Sequence, residues 1–186
     1  TPYDLSNASV DADDGISWKT YLVSTNISNN RDIEFNNDGT KMFLVAAYGD
    51  ERVIEYNLST PYLPSSATLG YDYDLADPNT TYLQSLEFDD DGTRMYLIES
   101  STGAAARKIY VYKLSTGFDL STATFVGSTA NFFDASGSNG TPLGLGFSED
   151  GMKLYQTTYT AGSAGALDMV YEYDLSCPYG IVICET

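Results

Sequence analysis

A chain without histidine must do its acid–base chemistry with carboxyls, phenols or thiols. Among 186 residues this protein has no His, 26 Asp and Glu, 16 Tyr and 2 Cys. There is thus no imidazole base, no His ligand and no Ser-His-Asp triad. Paired carboxylates of the glycosidase kind remain open. No two stand out, because most of the aspartates sit in turn-like contexts where Asp is expected anyway. Asp11, Asp13 and Asp14 precede Gly15 and offer hard oxygen ligands on a turn. They are the one candidate calcium site, although the run lacks a full loop and a closing Glu. No other cofactor is expected. Cys177 and Cys184 bracket a Pro-Tyr-Gly turn. Two thiols with no histidine make a poor zinc site, so a local disulfide is expected, and with it an oxidising compartment.

Five Asn-x-Ser/Thr triplets, at Asn7, Asn26, Asn57, Asn79 and Asn139, are glycosylation candidates for an extracellular chain. The net charge of −17 repels phosphate backbones and anionic lipid, so nucleic acid is excluded as a partner. No apolar run is long enough to insert into a membrane. A chain that starts at Thr1 without Met is expected to be processed or excised.

The elements that must carry these residues repeat. Asp32-Ile-Glu-Phe-Asn-Asn-Asp-Gly-Thr-Lys-Met-Phe-Leu recurs as Ser85-Leu-Glu-Phe-Asp-Asp-Asp-Gly-Thr-Arg-Met-Tyr-Leu. A third copy reads Gly144-Leu-Gly-Phe-Ser-Glu-Asp-Gly-Met-Lys-Leu-Tyr. The Asp-Gly pairs begin at 38, 91 and 150, spacings of 53 and 59. Asp-Gly supplies the positive φ of a tight hairpin, so each copy joins a strand A to a strand B. A variable Gly-rich loop leads to strand C, where Tyr56, Tyr112 and Tyr173 align, as do Leu58, Leu114 and Leu175. Tyr and Leu two residues apart share a strand face, which predicts a core face. A polar turn after Leu-Ser then leads to an outer strand D.

Four short antiparallel strands per repeat predict an all-β array of three propeller-type blades. The expected organisation is an orphan outer strand and connector over 1–30, then blades over 31–83, 84–142 and 143–186. The last blade is incomplete and carries the Cys-containing tail. The repeats resemble bacterial propellers with Asp-Gly-Thr in the A–B turn. They also resemble the Leu-Ser-Thr-Pro-Tyr-Asp-Leu-Ser repeats of secreted and phage-tail-like proteins. The resemblance covers nearly the whole chain and implies a fold, not a function.

Thr1-Pro2-Tyr3-Asp4-Leu5-Ser6-Asn7-Ala8-Ser9-Val10 matches the stretch after Leu-Ser in the other copies. It therefore reads as a strand D without its own A, B and C. Such a strand would close blade three of its own chain, complete a neighbouring copy, or belong to a longer array.

On this phase rests the expectation of a non-enzymatic extracellular or cell-surface assembly module. Its subunits would join head to tail by strand donation into a filament or ring, a homo-oligomer or polymer. The alternative is a glycan- or ligand-binding propeller of an adhesin or tail fibre, with Tyr48, Tyr62 and Tyr159 stacking on sugars. A propeller hydrolase is the third reading.

Overall fold

The computed structural model describes residues 29–47, 51–75, 82–100, 107–129, 141–159 and 169–184. Thr1–Val10, the Asp11–Asp14 run, Tyr48, and the sequons at Asn7, Asn26, Asn79 and Asn139 lie outside those residues.

Among the described residues eleven antiparallel strands form three sheets. Blade 1 is β1 (Asn30–Phe35), β2 (Lys41–Ala46), β3 (Arg52–Leu58) and β4 (Ala67–Asp74), paired in that order. Blade 2 is β5 (Leu83–Phe88), β6 (Arg94–Glu99), β7 (Ile109–Leu114) and β8 (Ala123–Ser128). Blade 3 has three strands among the described residues, β9 (Thr141–Phe147), β10 (Lys153–Tyr159) and β11 (Met169–Asp174). The first strands β1, β5 and β9 approach one another, with β5 in the middle, while β4 and β8 close the outer edges. This is a propeller-like sector built of consecutive meanders.

Each A–B hairpin turns on the glycine of its Asp-Gly pair, with φ of 69°, 70° and 66° at Gly39, Gly92 and Gly151. The preceding Asp fixes the turn from the side. Asp38 accepts the Thr40 hydroxyl and amide, and Asp91 accepts the same two groups of Thr93. In the third copy Asp150 accepts the Ser148 hydroxyl and the Met152 amide. These bonds favour the charged form and hold all three carboxyls below their ordinary range.

A second device repeats after strand C. Tyr62, Phe118 and Tyr179 take φ of 57°, 56° and 57°, a region that aromatic residues seldom occupy. Each amide donates back to the turn glycine, Tyr62 to Gly39 O at 2.9 Å, Phe118 to Gly92 O at 3.0 Å and Tyr179 to Gly151 O at 2.8 Å. Each ring then lies on that glycine so closely that a Cβ there would collide with it. Glycine is thus required twice at one position, for its backbone angle and for its bare face.

The loop after the aromatic is clasped in two ways. In blades 1 and 2 the Thr60 amide donates to Ser66 Oγ (3.0 Å) and the Thr116 amide to Thr122 Oγ1 (3.2 Å), around 3-10 turns at Pro64–Ser66 and Leu120–Thr122. In blade 3 the aligned position is Cys177, joined to Cys184 with Cα atoms 5.9 Å apart. Ile181 and Val182 of that loop pack on blade 2 beside Tyr96, Ile98, Ile109 and Val111.

The core lies between the blades. Phe43, Val45 and Val53 of blade 1 meet Met95, Leu97, Tyr112 and Leu114 of blade 2, with Leu120 plugged among them at 0% exposure. Tyr96, Ile98, Ile109 and Val111 form the second seam with Leu154 and the blade 3 aromatics. Alternation along β6 sends successive side chains to the two seams, and along β2 it sends Phe43 and Val45 to the first seam and Met42 and Leu44 to a cluster on the other face of blade 1.

Tyr56, Tyr112, Leu58 and Leu114 are buried, whereas Tyr173 is half-buried. Of the proposed sugar-stacking tyrosines, Tyr62 is spent on its turn glycine although its outer face is exposed, and Tyr159 is exposed at the end of β10. Asn57 is exposed on β3.

Candidate functional site: a carboxyl pair on the inner strands

Positions one and three of the repeat motif fall on the first strands. They carry Asp32 and Glu34 on β1, Ser85 and Glu87 on β5, and Gly144 and Gly146 on β9. Residues two apart on a strand share a face, so each row runs along one side of its strand.

Asp32 ties the first two rows together. Its Oδ2 accepts the Ser85 hydroxyl at 2.8 Å and the Leu86 amide at 2.9 Å, across the seam between β1 and β5. This bond pattern brings Glu34 and Glu87 into mutual range, both half-buried. Burial, and then the Asp32 charge, push the Glu34 carboxyl up to about 7. Burial, and then the charges of Glu34 and Asp32, push Glu87 up to about 8. Like charges in a poorly solvated space cannot all ionise at once, so the pair holds a proton near neutral pH.

The third row has no side chain to fill its place. A Cβ at Gly146 would meet nothing within 4 Å, so the surface beside the carboxyls is open. Gly144 is held by its amide donating to Thr157 Oγ1 at 3.0 Å.

Around the adjacent turns Asn37 Nδ2 donates to Asp90 O and the Tyr179 hydroxyl to Asp90 Oδ1 (2.6 Å). Burial and the Asp90, Asp89 and Glu87 charges push the Tyr179 phenol well above its usual range. Away from this pair, Glu99 is buried and accepts the Tyr110 hydroxyl at 2.7 Å. Among the described residues no group of three or more His, Cys, Asp or Glu side chains is placed to hold a metal ion.

The raised carboxyls carry a pH signature. An acid whose folded pKa exceeds its unfolded value near 4.5 binds more protons in the fold, so stability falls as pH rises between the two values. The midpoint of thermal unfolding is expected to drop between about pH 5 and pH 8, the window set by 4.5 in the unfolded chain and about 7 and 8 in the fold. Glu87→Gln is expected to flatten that slope. A slope equal to that of the parent in calorimetric scans would rule out the raised pair.

No protein-family model matches the sequence, and no curated protein matches it. Solved structures do. A Bacteroides fragilis protein provisionally named a 6-phosphogluconolactonase superposes with a TM-score of 0.50 at 15% identity, over 80% of this chain and 40% of its own. A Lactobacillus plantarum protein gives 0.51 at 15% identity, over 79% and 41%. A Bacteroides uniformis protein, also provisionally named a 6-phosphogluconolactonase, gives 0.49 at 12% identity, over 80% and 41%. The chain therefore spans about two fifths of the length of these structures. At such identity the likeness establishes the propeller fold.

These matches correct two expectations. A non-enzymatic assembly module joined by strand donation, with an adhesin-type binding module as its alternative, was inferred from architecture. The same architecture houses a protein named as a lactonase, so it no longer argues for a structural role or against an enzyme. The chemistry gains a definite pair. The sequence left paired carboxylates open without singling out two, whereas the inner strands bring together Glu34 and Glu87, with carboxyls pushed up to about 7 and about 8. The signal was present in the repeat alignment, where Glu34 and Glu87 occupy one position 53 residues apart on strand A.

Proposed function

We propose that the chain is three blades of a propeller hydrolase acting on lactones, with Glu34 and Glu87 as its acid–base pair. The observation that carries this reading is the pair itself, two carboxyls on adjacent inner strands, both with raised pKa values, beside an open surface. The names of the solved proteins that share the fold supply the reaction class.

In the proposed step the ionised member of the pair, Glu34, takes a proton from water as its oxygen adds to the lactone carbonyl. The acyl–oxygen bond then breaks, and the ring oxygen leaves with the proton held by Glu87. The products are one hydroxy acid and a pair that has exchanged which member is protonated. Asp32 positions the two strands through Ser85 and Leu86.

Glu34→Gln and Glu87→Gln are each expected to lower the rate of glucono-δ-lactone hydrolysis by about 10²-fold or more. The assay is pH-stat titration corrected for the spontaneous reaction. Rates unchanged in both variants, or a parent rate no faster than buffer, would remove the proposal.

The Cys177–Cys184 bond supports an oxidising, extracytoplasmic location. Among the described residues no helix is long and apolar enough to cross a membrane.

A further inference from the structure

Blade 2 docks on blade 1 through a charged socket. Lys41 Nζ donates to Glu55 Oε1 (2.6 Å) and to the Phe118 carbonyl of blade 2 (2.7 Å). The second oxygen, Glu55 Oε2, accepts the Leu120 amide at 2.9 Å. The turn that enters the socket reads Phe118-Asp119-Leu120-Ser121. Asp119 folds it by accepting the Ser121 amide and hydroxyl, and the Leu120 side chain fills the apolar floor. Glu55 is 4% exposed there and Val53 0%.

Blade 3 carries the same socket on its far face, and among the described residues no turn enters it. Lys153 aligns with Lys41 and Glu172 with Glu55, and Lys153 Nζ donates to Glu172 Oε1 at 2.6 Å and to Asp174 Oδ1 at 2.8 Å. The side chains are 38% and 53% exposed, against 24% and 5% for Lys41 and Glu55. Val170, the counterpart of Val53, is 68% exposed. Blade 2 differs. It has Arg94 and Val111 at the two positions, and its face is covered by the cystine loop of blade 3. The Lys–Glu pair is therefore found where a hydrogen-bonding turn docks, and it recurs on the far face of blade 3, against which no blade packs among the described residues.

We infer that the far face of blade 3 is a docking surface for a further β-meander blade, whose strand C–D connection is a 3-10 turn of the type aromatic-Asp-Leu-Ser. Lys153 takes the carbonyl at the aromatic position, Glu172 takes the amide at the leucine position, and the leucine covers Val170. The interface continues the one between blades 1 and 2, residue for residue in its polar part.

The test uses the whole chain and a peptide of its own sequence. The peptide spans residues 115–125 with Thr116→Cys and Ala123→Cys, oxidised to close the turn as Cys177 and Cys184, seven apart, close theirs. Titrated to millimolar concentration into isotopically labelled protein, it is expected to give saturable NMR shifts confined to β10 and β11. Glu172→Val and Lys153→Met are each expected to weaken binding about tenfold or more, and a peptide with Leu120→Asp is expected not to bind. Glu172 is exposed and Lys153 half-buried, and the spectra of both variants check that the fold is kept. No shifts, or shifts that survive both substitutions, overturn the inference. Light scattering that shows a dimer dissociated by Glu172→Val overturns it in favour of a second copy as the occupant.

Discussion

Glu55→Ala is expected to lower the unfolding free energy by about 3 kcal/mol, among the larger single losses in this fold. Glu55 is buried on β3 and serves two donors at once, Lys41 Nζ and the Leu120 amide. Truncation leaves the amide without an acceptor in an apolar seam and the ammonium without its counter-ion. Losing a partner costs more than losing the pair, because the remaining group must still be desolvated. Lys41→Met combined with Glu55→Val, the apolar solution that blade 2 approaches with Val111, is therefore expected to cost less than Glu55→Ala alone. Urea titrations of the single and double variants give both numbers. A Glu55→Ala midpoint equal to that of the parent would show that the seam is held by its hydrocarbon alone.

Gly92→Ala is expected to cost about 3 kcal/mol through two separate mechanisms. A residue with a Cβ at φ of 70° is strained by about 1 kcal/mol. The added methyl also meets the Phe118 ring, which packs against both Phe43 and Phe88 with centroids 6.4 and 5.1 Å away. Displacing that ring opens the seam between blades 1 and 2 and moves the Leu120 amide from Glu55. Gly92→Ala with Phe118→Ala separates the contributions, since without the ring only the backbone strain should remain at position 92. If Gly92→Ala alone costs no more than that strain in urea titration, the ring does not lock the turn.

The blade pattern was open to reading because it is local. Asp-Gly at a fixed place after Phe, and Tyr-x-Leu on strand C, state turn and core face within a few residues, and the structure places hairpins and buried strands there. The aromatic caps were not legible. Pro61-Tyr62 and Gly117-Phe118 look like ordinary loop, and an aromatic residue is a poor guess for positive φ. What stabilises that angle is a glycine 23 to 28 residues earlier in the chain. The Lys41–Glu55 socket was hidden for a similar reason, since its third partner lies in the next blade.

The Glu34 and Glu87 site is an intermediate case. Alignment of the repeats put both residues in one column, but the charge shift depends on how closely β1 and β5 approach, which Asp32 sets through Ser85 and Leu86. Composition left carboxyls as candidates for acid–base work, but with 26 acidic residues it singled out no pair. Environment supplied what residue type did not.

The two kinds of clasp set different demands on the surroundings. Hydroxyl groups hold the corresponding loops of blades 1 and 2 whatever the electron balance of the medium, whereas the blade 3 loop is secured by a bond that thiols can undo. Material produced in a glutathione-rich cytosol would keep its first seam intact. It would loosen where Ile181 and Val182 rest on the second blade, so the choice of expression host decides how much of the sector is well ordered.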